Sequence, residues 1–378
     1  MRSLKIAMVG LKGLPAKWGG IEKFVEEVGR RLVERGHQVT VFGSRWYCGE
    51  KSQSRHLGMR LKVLPSIPVQ AADALSRALL AALPLAATGY DVIHFHGFAS
   101  YFLVPLVRLA GTKTIVTAHG VESGWNNPKY PSPARSIIRT AFKIGMRESD
   151  CVTTVAEHLR EKILLKYRRD ARVLRSGIEV PPGPAPCRIT EKYGLKGNDF
   201  VLFLGRIDPI KRIDWIVELG RRLPSHLRVV IAGGAQDERT RRYSRQLTAL
   251  SGDSGRVIFT GPVDGREKAE LLSNCLLFLQ PSLDEGFPIT LLEAASYGKC
   301  CVASAIPAHR EILEDGMSGW LFPVAQQSCF HSMVLKVLRD QSRHIDPLGV
   351  RARQVVGERF NWRETTGLLE ELYRQLLR

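Results

Sequence analysis

Two acids, Glu285 and Glu293, stand eight residues apart in "PSLDEGFPITLLEAASYGKC", residues 281–300. The first lies in an Asp-Glu-Gly-Phe-Pro loop and the second in a helix expected to begin near Pro288. A helix start offers free backbone N–H groups and favours negative charge. An acid there either complements the helix dipole or, with the amides of Gly286 and Phe287, lines a site where polar groups converge. In "FLGRIDPIKRID", Arg206 follows a strand–glycine end and Lys211 comes five residues later. Two cations at a strand-to-helix turn could clamp a diphosphate, arginine through its fork and lysine as a point charge; a solvated pair on a basic protein is the plainer alternative. Gly13, Gly19 and Gly20 of "GLKGLPAKWGGIEKF" separate the first strand from the first helix. Bare backbone there lets a ligand come close, and Gly19-Gly20 against a helix start fits an anion seat. The stretch is neither GxGxxG nor a Walker sequence, and a flexible turn is the competing account. His119 in "IVTAHGVES" ends a strand and precedes a glycine, which points it towards a site. His94 and His96 in "DVIHFHG" share one strand face at a spacing that could ligate a metal. No carboxylate or cysteine cluster joins them, so they read as ordinary strand histidines and no metal site is assigned.

The elements that must position these residues alternate in kind. Apolar runs ending in glycine or turn residues ("LKIAMVG", "QVTVFGS", "RLKVLPS", "YDVIHFHG", "KTIVTAHG", "CVTTVAE") predict six strands, with helical patterns between most of them. "SGIEVPPGPAPCRIT" interrupts the series with four prolines and two glycines and reads as a linker. The alternation restarts at "FVLFLGRID" and continues through "LRVVIAGG", "RVIFTG", "CLLFLQPS" and "KCCVAS". The chain closes on an amphipathic helix, with Asn361 and Glu364 at capping-box spacing before it. This predicts an α/β protein of two doubly wound parallel-sheet domains: residues 1–180, a linker at 181–198, residues 199–360, and a C-terminal helix at 361–378. Ligands of such sheets bind outside the carboxyl ends of the strands, so a site in the cleft facing both domains is expected.

Bulk properties limit the classes of function. The 378 residues suffice for two domains, and 44% hydrophobic with 24% charged residues describes a folded, soluble chain. Seven scattered cysteines include no CxxC pair, as reduced thiols in the cytoplasm would. "MRSLKIAMVGLKG" reads as a first strand and not a signal peptide, and no run of 18 apolar residues could span a membrane. The net charge of +18 is lopsided: residues 1–180 carry 28 Lys and Arg against 14 Asp and Glu, the remainder 27 against 23. That bias implies an anionic partner for the first half: lipid headgroups, an acidic small molecule or nucleic acid. No aromatic RNP strand or helix-turn-helix supports nucleic acid, and none is assigned. In "SPARSIIRTAFKIGMRE", Ile137, Ile138, Phe142 and Met146 form an apolar stripe beside Arg135, Arg139, Lys143 and Arg147. The stripe either packs on the first sheet or lies on a membrane.

Taken together, "GLPAKWGGIE", "HFHG", "TAHG", "LGRIDPIKR" and "PSLDEGFPITLLEAASYG" resemble, in order and over nearly the whole chain, family 4 of the retaining glycosyltransferases, and "GLPAKWGGIEKFVEEV" resembles its bacterial polysaccharide-type members. The resemblance implies the GT-B fold of two Rossmann-like domains facing each other across a cleft, with the C-terminal helix packing back towards the first domain. It implies metal-independent hexosyl transfer with retention, from a nucleotide-diphosphate sugar as co-substrate with no cofactor, to a glycan or lipid-linked acceptor in polysaccharide or glycolipid synthesis. The setting would be cytoplasmic, peripheral at an anionic inner membrane face. By the same resemblance Glu293 would bind the ribose hydroxyls, and Glu285 those of the donor sugar. The amides of Gly286 and Phe287 would hold sugar and phosphate. Arg206 and Lys211 would neutralise the leaving diphosphate, Gly19 and Gly20 would approach it, and His119 would contact the donor sugar near its reacting carbon. Ser176-Gly177-Ile178-Glu179 stands where the family commonly has Asn-Gly-Ile/Val-Asp, and Val121-Glu122-Ser123 where related members carry Leu-Asp-Trp. The alternatives are a sugar-nucleotide epimerase of the same fold and a non-catalytic nucleic-acid-binding protein.

Overall fold

The computed structural model describes residues 2–17, 19–49, 53–65, 70–87, 89–121, 132–181, 189–263 and 265–378. It divides into two compact units, Met1–Gly177 with Trp362–Arg378, and Ile178–Asn361. The first unit holds β1 (Lys5–Val9), β2 (Gln38–Ser44), β3 (Arg55–His56), β4 (Met59–Leu64), β5 (Val92–Phe95), β6 (Lys113–Ala118), β7 (Cys151–Thr154) and β8 (Arg172–Val173) in the order β3-β4-β2-β1-β5-β6-β7-β8. All pairs are parallel except β3 with β4. The near-continuous burial of β1, β2, β5 and β6 is what a sheet covered on both faces requires. The two-residue strands β3 and β8 are too short to show a sequence period, so the six-strand expectation missed them.

The second unit holds β9 (Phe200–Leu204), β10 (Arg228–Ala232), β11 (Val257–Gly261), β12 (Leu277–Gln280), β13 (Cys300–Ser304) and β14 (Trp320–Phe322), ordered β11-β10-β9-β12-β13-β14 and parallel throughout. Its two faces carry separate apolar clusters, one around Val201, Trp215, Ile231 and Phe330, the other around Phe200, Leu202, Phe278 and Leu292. Within the stretch read as a linker, residues 182–188 lie outside the described residues. Ile189–Tyr193, however, is helical, and Ile189 and Leu195 are buried in the second unit's core. Proline content masked a helix too short to show a period. In each sheet the strand order reverses once, between β1 and β5 and between β9 and β12, which are the places where doubly wound sheets open for a ligand.

The C-terminal helix Trp362–Leu376 belongs to the first unit. Glu370 joins Arg35 at 2.8 Å and Arg374 at 2.8 Å, and Trp362 meets Phe24 edge-on at 5.8 Å. Its deepest anchor is Tyr373, whose hydroxyl is 2.7 Å from Nδ1 of His94. Nε2 of His94 lies 2.6 Å from Thr117 Oγ1, itself 2.6 Å from Thr153 Oγ1, and the Thr153 hydroxyl donates to the Val116 carbonyl. That last bond sets the direction of the chain: Thr117 donates to Thr153, His94 donates from Nε2 to Thr117, and Tyr373 donates to Nδ1 of His94. His94 is thus a structural histidine, as the strand reading expects.

Burial, assisted by the neighbouring His119, lowers the His94 pKa to about 3. The unfolded imidazole titrates near 6.5, so below that pH the unfolded chain takes up a proton that the folded one refuses. Stability is therefore complete above pH 6.5 and falls as pH drops towards 3, by about 1.4 kcal/mol per pH unit for each such group. We expect urea unfolding to show this decline, and His94→Gln to be less stable at pH 7.5 yet to decline by one proton less below 6.5. Equal slopes in both proteins would contradict the assignment.

Candidate active site

In the second unit, the chain leaves β9 through Gly205 and Arg206, turns through the 3-10 segment Pro209–Lys211, and so brings Lys211 back towards the end of β12. Asp208 makes the turn: its carboxylate accepts from the Ile210 amide at 3.2 Å and from Arg239 at 3.0 and 3.1 Å. The Leu283 amide then donates to the Ile210 carbonyl at 2.8 Å, tying the loop after β9 to the loop after β12. Across this join Lys211 Nζ pairs with Oε1 of Glu285, each side chain only 11% exposed. The same oxygen accepts from Gln280 Nε2 at 2.9 Å and Ser282 Oγ at 2.8 Å. Burial pushes the Glu285 pKa up, but the charges of Lys211 and His309 and the hydrogen bonds from Lys211 and Ser282 outweigh it, leaving the group below its ordinary value. Three donors thus crowd one oxygen of an ionised carboxylate, while among the described residues Oε2 has no partner.

Beneath Glu285, His309 is fully buried and donates from Nδ1 to the Ser304 carbonyl at 2.8 Å, leaving Nε2 without a partner among the described residues. Burial lowers its pKa to about 4 against the opposing pull of Glu285. The helix Ile289–Ser296 follows with Pro288 at its cap. The amides of Gly286 and Phe287 enter no hydrogen bond among the described residues, and the Phe287 ring is held 5.9 Å from Phe360. Glu293, buried on that helix, accepts from Lys268 at 2.6 Å. Arg206 is the loosest of the expected residues: it is exposed, with Asp208 at 4.0 Å. The structure therefore pairs Lys211 with Glu285 and not with Arg206, because the 3-10 turn carries Lys211 towards β12.

At the reversal point of the first sheet the backbones of Gly10 and Gly97 touch, and a side chain on either would strike the other. The turn after β1 is fastened by acids of the helix Gly20–Glu34: Glu22 accepts from the Lys12 amide at 2.9 Å and Glu26 from the Ala16 amide at 3.0 Å. Gly19 sits at φ 105°, where a side chain would also meet the Glu22 carboxylate. Burial raises the Glu22 pKa, with the Lys12 amide pulling the other way. His119, at the end of β6, has Nε2 3.2 Å from Nδ1 of His96 and lies edge-on to Phe24 at 5.5 Å. Burial lowers its pKa to about 3, so it is neutral at physiological pH. Glu122 and Ser123 lie outside the described residues.

Sequence reasoning missed Gln280, Ser282, His309, Lys268 and Glu22. Gln280, Ser282 and Glu22 lie inside the quoted stretches, where nothing local distinguishes them from ordinary polar residues. His309 and Lys268 reach the site only through the fold and left no local signal. Among the described residues no cluster of three or more His, Cys, Asp or Glu could hold a metal ion, and no helix is long and apolar enough to cross a membrane.

The chain matches two family models, Glycosyltransferase Family 4 over residues 18–180 and Glycosyl transferases group 1 over residues 188–354. It is 26% identical to the GDP-mannose-dependent alpha-(1-6)-phosphatidylinositol monomannoside mannosyltransferase of Mycolicibacterium smegmatis, over 95% of each chain. The D-inositol 3-phosphate glycosyltransferase of Xylanimonas cellulosilytica is also 26% identical, over 94% of this chain and 92% of that one. Sucrose-phosphate synthase from Thermosynechococcus elongatus shares the fold, with a TM-score of 0.84 at 22% identity and 98% of both chains covered. That fold is GT-B, two parallel-sheet α/β domains in one chain. The chain belongs to the family 4 glycosyltransferases and is an enzyme of that class.

Lys211→Met removes the counter-charge from Glu285 and leaves a buried carboxylate unpaired, at an expected cost of about 3–5 kcal/mol. The Glu285 carboxyl should then titrate above its wild-type value in an NMR pH series. Adding Glu285→Gln should recover part of the lost stability. An unchanged Glu285 titration in Lys211→Met would show that the pair does not hold the charge.

Proposed function

We propose that this glycosyltransferase moves a sugar, with retention, from a nucleoside-diphosphate sugar to a glycan or lipid-linked acceptor, in the making of cell-surface polysaccharide or glycolipid. The observation that carries this reading is Glu285: an ionised carboxylate with one oxygen saturated and the other open, beside two unengaged amides at a helix start. An open carboxylate oxygen can accept from sugar hydroxyls, and free amides can hold phosphate or sugar oxygens. Glu285 therefore takes donor-sugar hydroxyls, Gly286 and Phe287 supply N–H groups, and Glu293, positioned by Lys268, takes the ribose hydroxyls. Arg206 is free to swing onto the diphosphate, and Lys211 exchanges part of its pairing with Glu285 for the same phosphate.

As the sugar–phosphate bond breaks, negative charge grows on the departing diphosphate, and fixed cations and amides there lower the barrier. In the first unit, Gly19 and Gly20 offer bare backbone to the diphosphate, and neutral His119 hydrogen-bonds the donor sugar near its reacting carbon without adding charge. The leaving phosphate can itself take the acceptor proton on the same face of the sugar, so no protein nucleophile and no metal is assigned. The relatives support a glycolipid or glycan product, since one is named as acting on a phosphatidylinositol monomannoside and another on D-inositol 3-phosphate. We place the enzyme in the cytoplasm, against an anionic inner membrane face, because the first unit carries most of the positive charge. We assign it no nucleic-acid partner, and the epimerase alternative gains nothing from these relatives.

A thermal-shift screen against UDP-, GDP-, ADP- and dTDP-sugars should identify one nucleotide that raises Tm. With that donor, Glu293→Ala should weaken binding by about one to two decades, roughly 1–3 kcal/mol, in calorimetry. Unchanged affinity would reduce Glu293 to a partner of Lys268. Arg206→Ala, at an exposed position that the fold does not need, should lower turnover by about 10²-fold at saturating donor. Full turnover there would return Arg206 to the solvent. A chelator should leave wild-type activity intact; strict dependence on Mg²⁺ or Mn²⁺ would overturn the metal-free mechanism.

A further inference from the structure

One layer of the first unit is apolar on the wrong side. The helix Gln70–Ala87 turns Ala78, Ala81 and Leu85 inward, while Leu79 and Leu83 are 65% and 78% exposed. The next helix, Val104–Leu109, buries Val104 and Val107 and leaves Leu106 and Leu109 46% and 87% exposed. These helices, with Ser132–Glu148, make the connections β4 to β5, β5 to β6 and β6 to β7, which all step the same way across the sheet. Right-handed crossovers therefore put all three on one face of the sheet, opposite the helix Gly20–Glu34. The layer is continuous: Phe98, in the 3-10 segment leading into Val104–Leu109, packs on Phe142 of the third helix at 5.4 Å.

Single exposed leucines need no explanation, but a group on one helical layer does. The second unit exposes only Val180, Met317, Val324 and Val350 among its described large apolar residues. On Ser132–Glu148 the expected apolar stripe largely packs inward: Phe142 and Met146 are buried and Ile138 half-buried, while Ile137 faces out. The outer face of that helix instead carries Arg139, Lys143 and Arg147, four residues apart and so in one row. All three are exposed and make no ion pair among the described residues.

We propose that this face lies on an anionic bilayer, with Leu79, Leu83, Leu106 and Leu109 among the acyl chains and Arg139, Lys143 and Arg147 against the headgroups. Leucines able to enter the acyl boundary, flanked by unspent cations, fit an interface that is apolar within and negative at its rim. A second copy of the chain fits worse, because a two-fold contact through this face brings the same cations together. The inference rests on the membrane partner proposed above, but not on the donor site.

The test is co-sedimentation with vesicles of phosphatidylglycerol in phosphatidylcholine, and with phosphatidylcholine alone. Wild type should bind the anionic vesicles at least tenfold more tightly than the neutral ones, and should retain part of that binding at about 0.5 M salt, where screening leaves mainly the apolar contribution. L79S/L83S/L106S/L109S should lose at least tenfold and keep no salt-resistant part. R139E/K143E/R147E should lose the preference for anionic lipid. Single variants L83D and L109D repeat the measurement with minimal change, and a cooperative urea unfolding transition like that of the wild type shows that each variant is folded. Wild-type binding by the serine variant, or equal binding to both vesicles, would overturn the proposal. So would a wild-type dimer in sedimentation velocity that the serine variant abolishes, which would give the face to a second copy. A protein that binds vesicles but no nucleotide sugar would instead refute the donor reading and leave this one standing.

Discussion

Glu285 has to remain ionised while almost withdrawn from water, and the carboxyl edge of the second sheet is arranged around that requirement. An unpaired buried carboxylate would take up a proton or unfold its surroundings. Lys211 supplies the counter-charge, Gln280 and Ser282 add hydrogen bonds, and together they prevail over burial. Lys211 can serve only if the chain doubles back after β9, which the Asp208 cap and its clamp by Arg239 enforce. The Leu283–Ile210 backbone bond then joins the loops of two adjacent strands into one block. Such a block holds its dipoles before any ligand arrives, which is the preorganisation that the proposed donor role requires.

The first unit meets its own requirement by steric contact first, with carboxylates fastening what the contact positions. Backbone contact between Gly10 and Gly97 fixes where β1 and β5 end, and the glycine-rich turn is then drawn against the helix Gly20–Glu34 by Glu22 and Glu26. That helix is braced in turn by the C-terminal helix, through Trp362 on Phe24 and Glu370 on Arg35. Residues more than three hundred positions apart thus stabilise one turn. His94, beneath it, shows how burial selects a protonation state: the neutral ring already donates from Nε2 to Thr117 and accepts at Nδ1 from Tyr373, and a second proton would place a charge where burial penalises it.

What the sequence revealed and what it hid divide along the range of the interactions. Long buried strands announce themselves by continuous apolar runs, and β1, β2, β5, β6, β9, β10 and β12 were all legible. So was the start of the helix carrying Glu293, because Pro288 punctuates it. The two- and three-residue strands β3, β8 and β14 were not, since no period can be seen in so few residues, and the helix at Ile189 was obscured by the prolines before it. At the site, Lys211 and Glu285 were picked out separately, each from its own motif. Their union was invisible, because 74 positions separate them and only the adjacency of β9 and β12 brings them together. His309 and Lys268 were hidden for the same reason.

Charge obeys the same logic with a different outcome. The excess of Lys and Arg in residues 1–180 fixes how much positive charge the first unit carries, but not how much of it is available. Much is consumed internally: Glu27 alone holds Lys23, Arg30 and Arg31, and Glu157 and Asp170 share Arg160. Arg139, Lys143 and Arg147 stay unspent because four-residue spacing aligns them on the solvent side of a helix whose other side is committed to Phe142 and Met146. The leucines of Gln70–Ala87 are a parallel case. That helix is apolar nearly all round, so its sequence pattern cannot say which side is the core. The fold decides, for Ala78, Ala81 and Leu85 face inward while Leu79 and Leu83 are left outside. An apolar helix in a buried layer and one with a wet leucine face look alike in sequence, and only the packing beneath them tells the two apart.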